Sequence, residues 1–334
     1  MIEGATSDSS FKFQTWEVIW YGGITIFGVV GNLVVMVVVL LAKEIKKSST
    51  FNILIFSLAA VDFILSTSSL GIYILTTNAY KHPEGKLGNW LCKTFTGSLT
   101  TFWMMDASTF LLVYIAFERQ KAVVQPLSLL KNQSIKCTAF RISLLLLAAL
   151  LLHFIPRSIS MKYTPTNSSQ GNACSYTFSN NIKVLVHLIT FVTDTLVPLT
   201  LLIICFQRTS SSIKKAASFI CNSNFTKGAM QFNENFLLER QKKTMKTMRI
   251  VLLAFIVCIL PNRFMYFLSI FSVDFDVNSN VYQVFELLRV SNSFVNPIIY
   301  SLQSKVFRKN FCSIFYDKKR RKITLKKCNF VQLL

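Results

Sequence analysis

The five residues Asn296-Pro297-Ile298-Ile299-Tyr300 lie near the end of the last apolar stretch of this sequence, just before a run of basic residues. Inside a helix, proline removes one backbone hydrogen bond and crowds the preceding turn. In a membrane the freed backbone group needs a new partner, and the neighbouring asparagine supplies both a donor and an acceptor. The pentapeptide therefore predicts a hinge in a membrane-spanning helix.

The composition of the whole chain also indicates a membrane protein. Its 334 residues are 52 % hydrophobic and only 15 % charged, which is too apolar for an ordinary soluble domain of this length. A helix needs about 20 apolar residues to cross a hydrocarbon core of about 30 Å. Seven such stretches can be placed, near residues 17–42, 51–77, 92–119, 138–159, 182–207, 247–271 and 281–303. The predicted fold class is an all-α membrane protein, a bundle of seven transmembrane helices.

Basic residues are concentrated on one side of these spans. The loops near 43–50, 119–141 and 208–249 and the tail from 305 contain 27 of the 36 Lys and Arg residues. With Glu118 at the edge of the second loop they also contain five acids, which gives a net charge of +22. By the positive-inside rule this side is cytoplasmic and the N-terminus is extracellular. The excess charge indicates contact with anionic inner-leaflet lipids, and the apolar spans argue against a nucleic-acid partner.

Three further motifs in other spans accompany the hinge at Pro297. They are Gly31-Asn32, Leu58-Ala59-Ala60-Val61-Asp62 and Glu118-Arg119. Together these motifs resemble the rhodopsin-like (class A) G-protein-coupled receptors. The resemblance implies a plasma-membrane receptor, not an enzyme, that binds an extracellular ligand and activates heterotrimeric G proteins by outward movement of its sixth helix. It also implies arrestin as a partner, and it divides the chain into an extracellular N-terminus (1–16), a receptor domain (17–304) and an amphipathic helix with a basic tail (305–334).

The resemblance assigns a G-protein switch to three of the spans. Glu118-Arg119 stands where the family usually has Asp-Arg-Tyr, and the arginine is expected to leave its acid and meet the G protein when the sixth helix moves out. Gln120 replaces the tyrosine and Ile259 replaces a tryptophan of the sixth helix, which leaves basal activity open. The implied switch residues are Glu118, Arg119, Phe255, Pro261, Asn296, Pro297 and Tyr300.

Asp62 is an ionisable residue inside a predicted span. Such residues are costly in a membrane and normally face a partner or water. In the family, residues at the matching positions hold a hydrated sodium ion, and here these are Asn32, Asp62, Ser108, Asn292 and Asn296. Oxygen ligands suit a hard cation, so an allosteric sodium ion is the one cofactor expected. The alternative, that these groups only hydrogen-bond the helices together, stays open.

Charged residues in the outer halves of the spans predict the ligand pocket. Five charges are expected around one cavity, with Thr101 and Tyr266 beside them: Asp106, Asp194, Arg263, Glu286 and Arg289. They could contact a ligand or neutralise one another, since unpaired charges at this depth are costly. A mixed-sign pocket favours a small peptide, with a small polar or nucleotide-like metabolite as the alternative. Thr101 and Val290 replace the aspartate of amine receptors and the lysine of opsins, which disfavours an amine or retinal.

A seven-span transporter or membrane enzyme is the alternative from another class. Catalysis needs convergent nucleophile, base or metal ligands, whereas His82, His153 and His187 are scattered along the sequence. A transporter is expected to have matching broken helices in its two halves, and only one strong hinge is evident. Sodium-dependent uptake would favour a transporter, and ligand-triggered nucleotide exchange would favour a receptor.

Several residues outside the spans predict covalent modification. Cys92 and Cys174 lie on the extracellular side, where disulfides persist, and matching cysteines pair in the family. Asn167-Ser168-Ser169 is a glycosylation acceptor on the same side. Cys312 and Cys328 lie in the basic tail, where palmitoylation and an unmodified thiol are both open. Residues 305–311 place aromatic and basic side chains on opposite faces and resemble the short eighth helix of the family, which lies on the inner leaflet.

Overall fold

A computed structural model describes residues 15–41, 49–76, 83–96, 98–125, 134–163, 174–176, 180–222, 229–268, 271, 279–303 and 305–315. Apart from one small hairpin, the regular elements of this part of the chain are helical. The α-helices are α1 (Thr15–Leu41), α2 (Ser49–Thr76), α3 (Gly85–Leu91), α4 (Leu99–Val124), α5 (Ile135–Ala149), α6 (Ile155–Ser160), α7 (Asn180–Phe191), α8 (Val197–Asn222), α9 (Ala229–Cys258), α10 (Leu260–Leu268), α11 (Asn280–Gln303) and α12 (Lys305–Phe315). Three π-helical turns, Cys92–Thr96, Leu150–Phe154 and Val192–Leu196, follow α3, α5 and α7.

These helices form seven membrane helices, because several of them continue one another end to end. The third is α3 with α4, the fourth α5 with α6, the fifth α7 with α8 and the sixth α9 with α10, while α1, α2 and α11 are the first, second and seventh. Within the described ranges, six of the seven are long and apolar enough to cross a membrane. The seventh carries Glu286 and Arg289, which reduce its hydropathy, and it packs against the first, second and sixth. The predicted all-α bundle is therefore observed.

The fifth and sixth helices extend furthest beyond the spans predicted from hydropathy. The fifth continues to Asn222 and the sixth starts at Ala229, whereas the apolar stretches suggested 182–207 and 247–271. The extra turns are rich in Ser, Lys and Asn. A helix satisfies its backbone hydrogen bonds internally whether or not its side chains are apolar, so hydropathy marks the part in lipid and not the helix end.

One end of the bundle carries a disulfide bond and is called here the disulfide end. Strands β1 (Met161–Tyr163) and β2 (Cys174–Tyr176) form an antiparallel hairpin in which Tyr163 lies opposite Cys174. Cys174 is bonded to Cys92, with 5.5 Å between the two Cα atoms, as predicted. The bond ties the hairpin to the third membrane helix. The opposite end, which contains Arg119 and α12, is called the basic end.

The motifs in the first and seventh helices complete each other. Pro297 has no N–H, so the carbonyl of Ser293 lacks its usual partner in the helix. The side-chain Nδ2 of Asn32 donates to that carbonyl at 2.9 Å and to the carbonyl of Gly28 at 2.8 Å. Gly31 allows this approach, because a Cβ there would lie 3.1 Å from the Cβ of Pro297. The paired motifs therefore fix how these two helices pack.

The core between the second and third helices is built on a leucine face. Leu54, Leu58 and Leu65 repeat at helical spacing on α2, are fully buried, and pack against Met105 and Leu111 of α4. Because lipid tails are as apolar as leucine, helix association in a membrane depends on close packing more than on removing apolar surface from water. This face positions Asp62, which lies between Leu58 and Leu65 in the sequence, against α4.

The sixth helix is interrupted next to its proline. Helix α9 ends at Cys258 and α10 begins at Leu260, because Pro261 cannot donate a backbone hydrogen bond. The ladder continues around the break, where the Ile259 N–H donates to Phe255 at 2.9 Å and the Arg263 N–H donates to Ile259 at 3.2 Å. The interruption sets the direction of the last two turns, which carry Arg263 and Tyr266.

Helix α12 follows the seventh membrane helix at the basic end. Phe307 of α12 is buried against Val35, Val38 and Ala59, and Cys312 is also buried. Its position on an inner leaflet and palmitoylation of Cys312 stay predictions. Asn167, Cys328 and the segments 1–14 and 316–334 lie outside the described residues.

Candidate functional site

The first group of buried polar residues lies around Asp62 and is called the Asp62 centre, comprising Asp62, Ser108 and Asn296. The Asp62 side chain is fully buried. Ser108 Oγ donates to Asp62 Oδ1 at 2.7 Å, and Asn296 Nδ2 donates to Asp62 Oδ2 at 2.7 Å. One carboxylate thus connects the second, third and seventh helices, and both of its side-chain partners in the described part of the chain are neutral.

Two further predicted sodium ligands, Asn32 and Asn292, lie on the first and seventh helices. Asn32 reaches the seventh helix at Ser293, and its Oδ1 is buried with no hydrogen-bond partner in the described part of the structure. Asn292 is also buried, and its Nδ2 has no partner among those residues. Asn32 can therefore present Oδ1 to a cation while its Nδ2 keeps both backbone contacts. Rotating the Asn292 amide exchanges its oxygen and nitrogen, so this side chain can also present an oxygen.

Sequence reasoning missed two serines beside the Asp62 centre. Ser66 Oγ donates to the backbone carbonyl of Asp62 at 2.8 Å and contacts Ser293 Oγ at 3.0 Å. Gly28 leaves the space for Ser66, since a Cβ at Gly28 would lie 2.1 Å from Ser66 Oγ. Small residues on apposed membrane helices are the signal that could have identified this contact.

The second group lies nearer the disulfide end and is called the Arg263 cluster, comprising Asp106, His153, Asp194 and Arg263. Arg263 Nη2 lies 2.5 Å from Asp106 Oδ1 and 3.4 Å from Asp194 Oδ2. His153 Nε2 lies 2.8 Å from Asp194 Oδ1. The four residues come from the third, fourth, fifth and sixth helices, and all are buried. The cluster therefore joins the third, fifth and sixth helices through ion pairs, and His153 adds the fourth helix through its contact with Asp194.

His153 and Arg157 of the fourth helix were not predicted as site residues. Arg157 Nη1 donates to the His153 carbonyl at 3.1 Å, and its Nη2 donates to Thr190 at 2.8 Å. The Arg157 guanidinium also lies over the ring of Phe102, with 5.4 Å between Cζ and the ring centroid. The available signal was a histidine inside a leucine-rich span, because an ionisable residue at that depth usually has a functional partner.

The third group, the Glu286 cluster, comprises Glu286, Arg289, Asn262 and Tyr266. Arg289 forms an ion pair with Glu286 through both Nε and Nη2. Asn262 Nδ2 and the Tyr266 hydroxyl donate to Glu286 Oε1 at 2.9 and 3.0 Å. The cluster therefore joins the last turns of the sixth helix to the seventh, just beyond the break at Pro261.

The five predicted pocket charges divide between these two clusters. Each charge has an oppositely charged partner within 3.4 Å, the arrangement described by the internal-pairing alternative. Phe102 connects the clusters, because Arg289 lies 4.7 Å from its ring centroid while Arg157 lies on the same ring. Thr101, the remaining predicted pocket residue, is 2 % exposed and its hydroxyl has no partner in the described ranges.

At the basic end, the described contacts of Glu118 and Arg119 involve two other helices. Glu118 Oε1 lies 3.9 Å from Arg141 Nη1 of the fourth helix. The Arg119 guanidinium carbon lies 3.5 Å from the ring centroid of Phe51 at the start of α2. Arg141 also donates to the Tyr114 hydroxyl at 3.3 Å. The sequence motif did not predict Arg141 or Phe51 as partners.

The remaining switch residues lie in the sixth and seventh helices. Phe255 is 1 % exposed and packs with Ile259, Leu202 and Ala116. Ile259, which replaces the tryptophan of the family, is therefore an aliphatic residue of this core. Tyr300 lies in α11, three residues beyond Pro297.

Comparison with known proteins decides the family. Residues 31–300 match the model of the 7 transmembrane receptor (rhodopsin family). The chain belongs to this family. The receptor is therefore a multi-pass membrane protein, and the prediction that it is not an enzyme is confirmed.

Curated relatives of the receptor are similar over most of its length. Galanin receptor 2b of Danio rerio is 25 % identical, over 87 % of this chain and 72 % of the relative. The [Phe13]-bombesin receptor of Bombina orientalis is 26 % identical, over 87 % and 74 %. The Allatostatin-A receptor of Bombyx mori is 25 % identical, over 89 % and 79 %. Three differently named receptors at nearly equal identity support a receptor class and do not select one ligand.

Proposed function

We propose that this receptor binds an extracellular peptide and activates heterotrimeric G proteins. The observation that carries the proposal is that the galanin, bombesin and allatostatin-A receptors, all named for peptides, resemble it equally over about three quarters of their length. The peptide is expected to approach from the disulfide end, where the hairpin tied by Cys92–Cys174 borders the third helix.

The Arg263 cluster connects the proposed pocket to the moving helix. Arg263 lies two residues beyond Pro261, and its side chain holds α10 to Asp106 and Asp194 on the third and fifth helices. A peptide group that replaces either partner weakens this attachment. The sixth helix can then pivot at its break, and the part of this helix between Phe255 and the basic end moves outward. In this receptor, where Ile259 replaces the usual tryptophan, the charges of the Arg263 cluster couple ligand binding to movement of the sixth helix.

The basic end is the proposed G-protein surface. Outward movement of the sixth helix exposes the neighbourhood of Arg119, whose guanidinium rests on Phe51. Cation–π contacts of this kind are weak enough to exchange for a partner protein's backbone or carboxylate groups. Anionic lipids and arrestin are expected to bind the same positively charged end, and the N-terminus is expected to be extracellular.

The Asp62 centre is the proposed sodium site. Asp62, Ser108, Asn32, Asn292 and Asn296 supply one carboxylate and neutral oxygen-bearing groups, and two of the amides contain a buried atom without a partner in the described structure. This ligand set suits a weakly held hard cation. A bound sodium ion supplies positive charge to Asp62, and these residues hold the second, third and seventh helices in the resting packing.

A paired library screen tests the function. Cells that express the receptor and a general G-protein reporter are challenged with peptides and, separately, with small polar metabolites and nucleotides. A signal from a peptide supports the proposal, whereas activation only by a metabolite contradicts the ligand class. Sodium-dependent uptake without nucleotide exchange would support a transporter. An antibody to an N-terminal tag on intact cells tests the orientation.

Arg119→Ala provides the matched test of the switch. We expect it to abolish the peptide signal while surface expression stays within about twofold of the wild type, because Arg119 contacts the G protein only in the active state. Lys121→Ala is the control, since Lys121 lies over Phe117 at 5.6 Å on the same helix and is assigned no role in the switch. Full signalling by Arg119→Ala would exclude the assigned role.

A further inference from the structure

Three metal-ligating side chains from three different helices meet in the Arg263 cluster. Asp106, His153 and Asp194 can each offer one ligand atom such that all three atoms lie within 4.8 Å of one another, and all three residues are buried. None of the motifs of the family resemblance involves His153. We propose that these three residues form a binding site for a divalent transition-metal ion, represented by zinc, and that Arg263 competes with the ion for the two carboxylates.

Two of the atoms that would hold the ion lie close together and lack hydrogen-bond partners among the described residues. His153 Nδ1 and Asp106 Oδ2 are 3.8 Å apart, and neither has a hydrogen-bond partner in the described part of the chain. In a tetrahedral zinc site, two ligand atoms that are each about 2.1 Å from the ion are about 3.4 Å apart. This pair would have to close by about 0.4 Å to hold a zinc ion, and one carboxylate oxygen of Asp194 lies within 4.8 Å of a ligand atom of each of the other two residues.

The helix geometry explains why these side chains meet. His153 lies in the π-helical turn Leu150–Phe154, and Asp194 lies in the π-helical turn Val192–Leu196. A π-helical turn contains an extra residue, which changes the direction of the following side chains, and such turns are frequent at functional sites. Both turns direct a ligand residue toward Asp106 of α4.

Charge balance determines whether the ion and Arg263 can contact the two carboxylates at the same time. Two buried carboxylates carry two negative charges, which one divalent ion can neutralise while His153 remains neutral. Arg263 keeps its positive charge in proteins, so a buried ion and the guanidinium repel each other if both contact Asp106 and Asp194. The ion and Arg263 are therefore alternative partners. Imidazole nitrogen together with carboxylate oxygen suits Zn²⁺ and its neighbours in the first transition series, whereas Mg²⁺ and Ca²⁺ prefer oxygen alone.

Metal binding would act on the sixth helix. Arg263 lies on α10 just beyond Pro261, and its contacts with Asp106 and Asp194 attach that segment to the third and fifth helices. An ion that takes both carboxylates releases Arg263 and removes the attachment. This consequence for signalling rests on the proposed function, but binding of the ion does not.

The test measures zinc binding to the purified receptor in detergent, without ligand or G protein. Thermal unfolding is followed while ZnCl2 or MgCl2 is titrated in a chelator-controlled buffer. We expect zinc, but not magnesium, to raise the Tm of the wild type in a saturable way. In His153→Gln the amide can still donate to Asp194 while the metal-ligating imidazole is lost, so the zinc affinity should fall by roughly 100-fold or more, at least as much as losing a ligand's supporting group costs.

Two further variants distinguish this site from adventitious zinc. Arg263→Gln removes the competitor, so zinc should bind more tightly, by about tenfold if arginine occupies the carboxylates nine-tenths of the time. His187→Gln is the matched control. His187 lies in the fifth helix and stacks on Tyr266 of the sixth, outside the proposed site, so this variant should bind zinc like the wild type. Unchanged zinc affinity in His153→Gln, or a zinc effect lost in His187→Gln instead, would overturn the proposal.

Arg263→Gln can be unstable, so it is extracted with and without zinc. Recovery of folded receptor only with zinc supports the competition between metal and arginine. If folded Arg263→Gln is recovered in neither condition, the zinc titrations of the wild type and His153→Gln are used alone. These two titrations are sufficient to accept or reject the site. A wild-type receptor that binds zinc but gives no peptide signal would retain this inference while contradicting the proposed function.

Discussion

The Asp62 centre and the Arg263 cluster are both fully buried, yet they neutralise their carboxylates in opposite ways. Asp62 accepts hydrogen bonds from a hydroxyl and an amide, each at 2.7 Å, whereas Asp106 and Asp194 face the cation of Arg263. Neutral partners can give way to a small ion at little cost, while loss of the partner of a buried charge is strongly destabilising. The Asp62 centre is therefore suited to exchange an ion. The Arg263 cluster is suited to hold the helices together unless a competing charged group replaces one of its partners.

Removing Arg263 should have the largest effect on stability. Arg263→Met leaves Asp106 and Asp194 buried without their cation, and we expect a loss of about 3–5 kcal/mol in the free energy of unfolding. The measurement is thermal unfolding of the receptor in detergent, together with surface expression. Arg249→Met, at an exposed position on the same membrane helix, is the control and should be nearly neutral. Equal behaviour of the two variants would contradict the role given to the cluster.

The fold and the Asp62 centre could be predicted because their signals are local. Apolar stretches of suitable length marked the membrane helices, and the motifs at Asn32, Asp62 and Pro297 placed polar groups at fixed positions along them. The structure adds the reason for one pairing: Asn32 supplies the donor that the carbonyl of Ser293 loses to Pro297. Backbone groups in lipid must be satisfied within the protein, so this contact follows from the sequence once the two helices are adjacent.

The Arg263 cluster could be predicted only in part, because helix periodicity fails at its centre. Asp106, Asp194 and Arg263 were expected near the pocket, but His153 was counted among scattered histidines. His153 and Asp194 lie in π-helical turns, where counting 3.6 residues per turn assigns the wrong face. The pairing of the charges also depends on how the four helices are positioned along the bundle axis relative to one another. The sequence of a single helix does not determine this position.

Removing the Asn32 side-chain donor tests how much an uncharged hydrogen bond contributes to stability in this bundle. In the wild type, Asn32→Ala leaves the Ser293 carbonyl without its partner, and we expect a loss of about 1–3 kcal/mol. Pro297→Ala restores a backbone N–H that can donate to the same carbonyl. In that background Asn32→Ala should cost less than half as much. A double-mutant cycle by thermal unfolding measures the difference, and additive losses would show that the carbonyl is not the shared partner.

Sodium should stabilise only a receptor that retains the Asp62 carboxylate. At a sodium concentration ten times its Kd, binding adds about 1.4 kcal/mol to the stability of the folded state. The Tm in NaCl is compared with the Tm in choline chloride at equal ionic strength. We expect the sodium-specific increase in the wild type and its loss in Asp62→Asn, while Arg249→Met, the control used above, retains it. A sodium effect that persists in Asp62→Asn would exclude the assigned site.

The pair Glu118–Arg141 at the basic end should give the smallest effect and extends the comparison to a partly exposed charge. The Arg141 side chain is 45 % exposed and lies 3.9 Å from Glu118, so solvent screens the attraction and the pair is expected to contribute less than about 1 kcal/mol. A double-mutant cycle with Glu118→Gln and Arg141→Gln measures this coupling by thermal unfolding, and raising the salt concentration should reduce it. A coupling as large as the loss in Arg263→Met would mean that burial does not explain why the Arg263 cluster holds the helices more strongly.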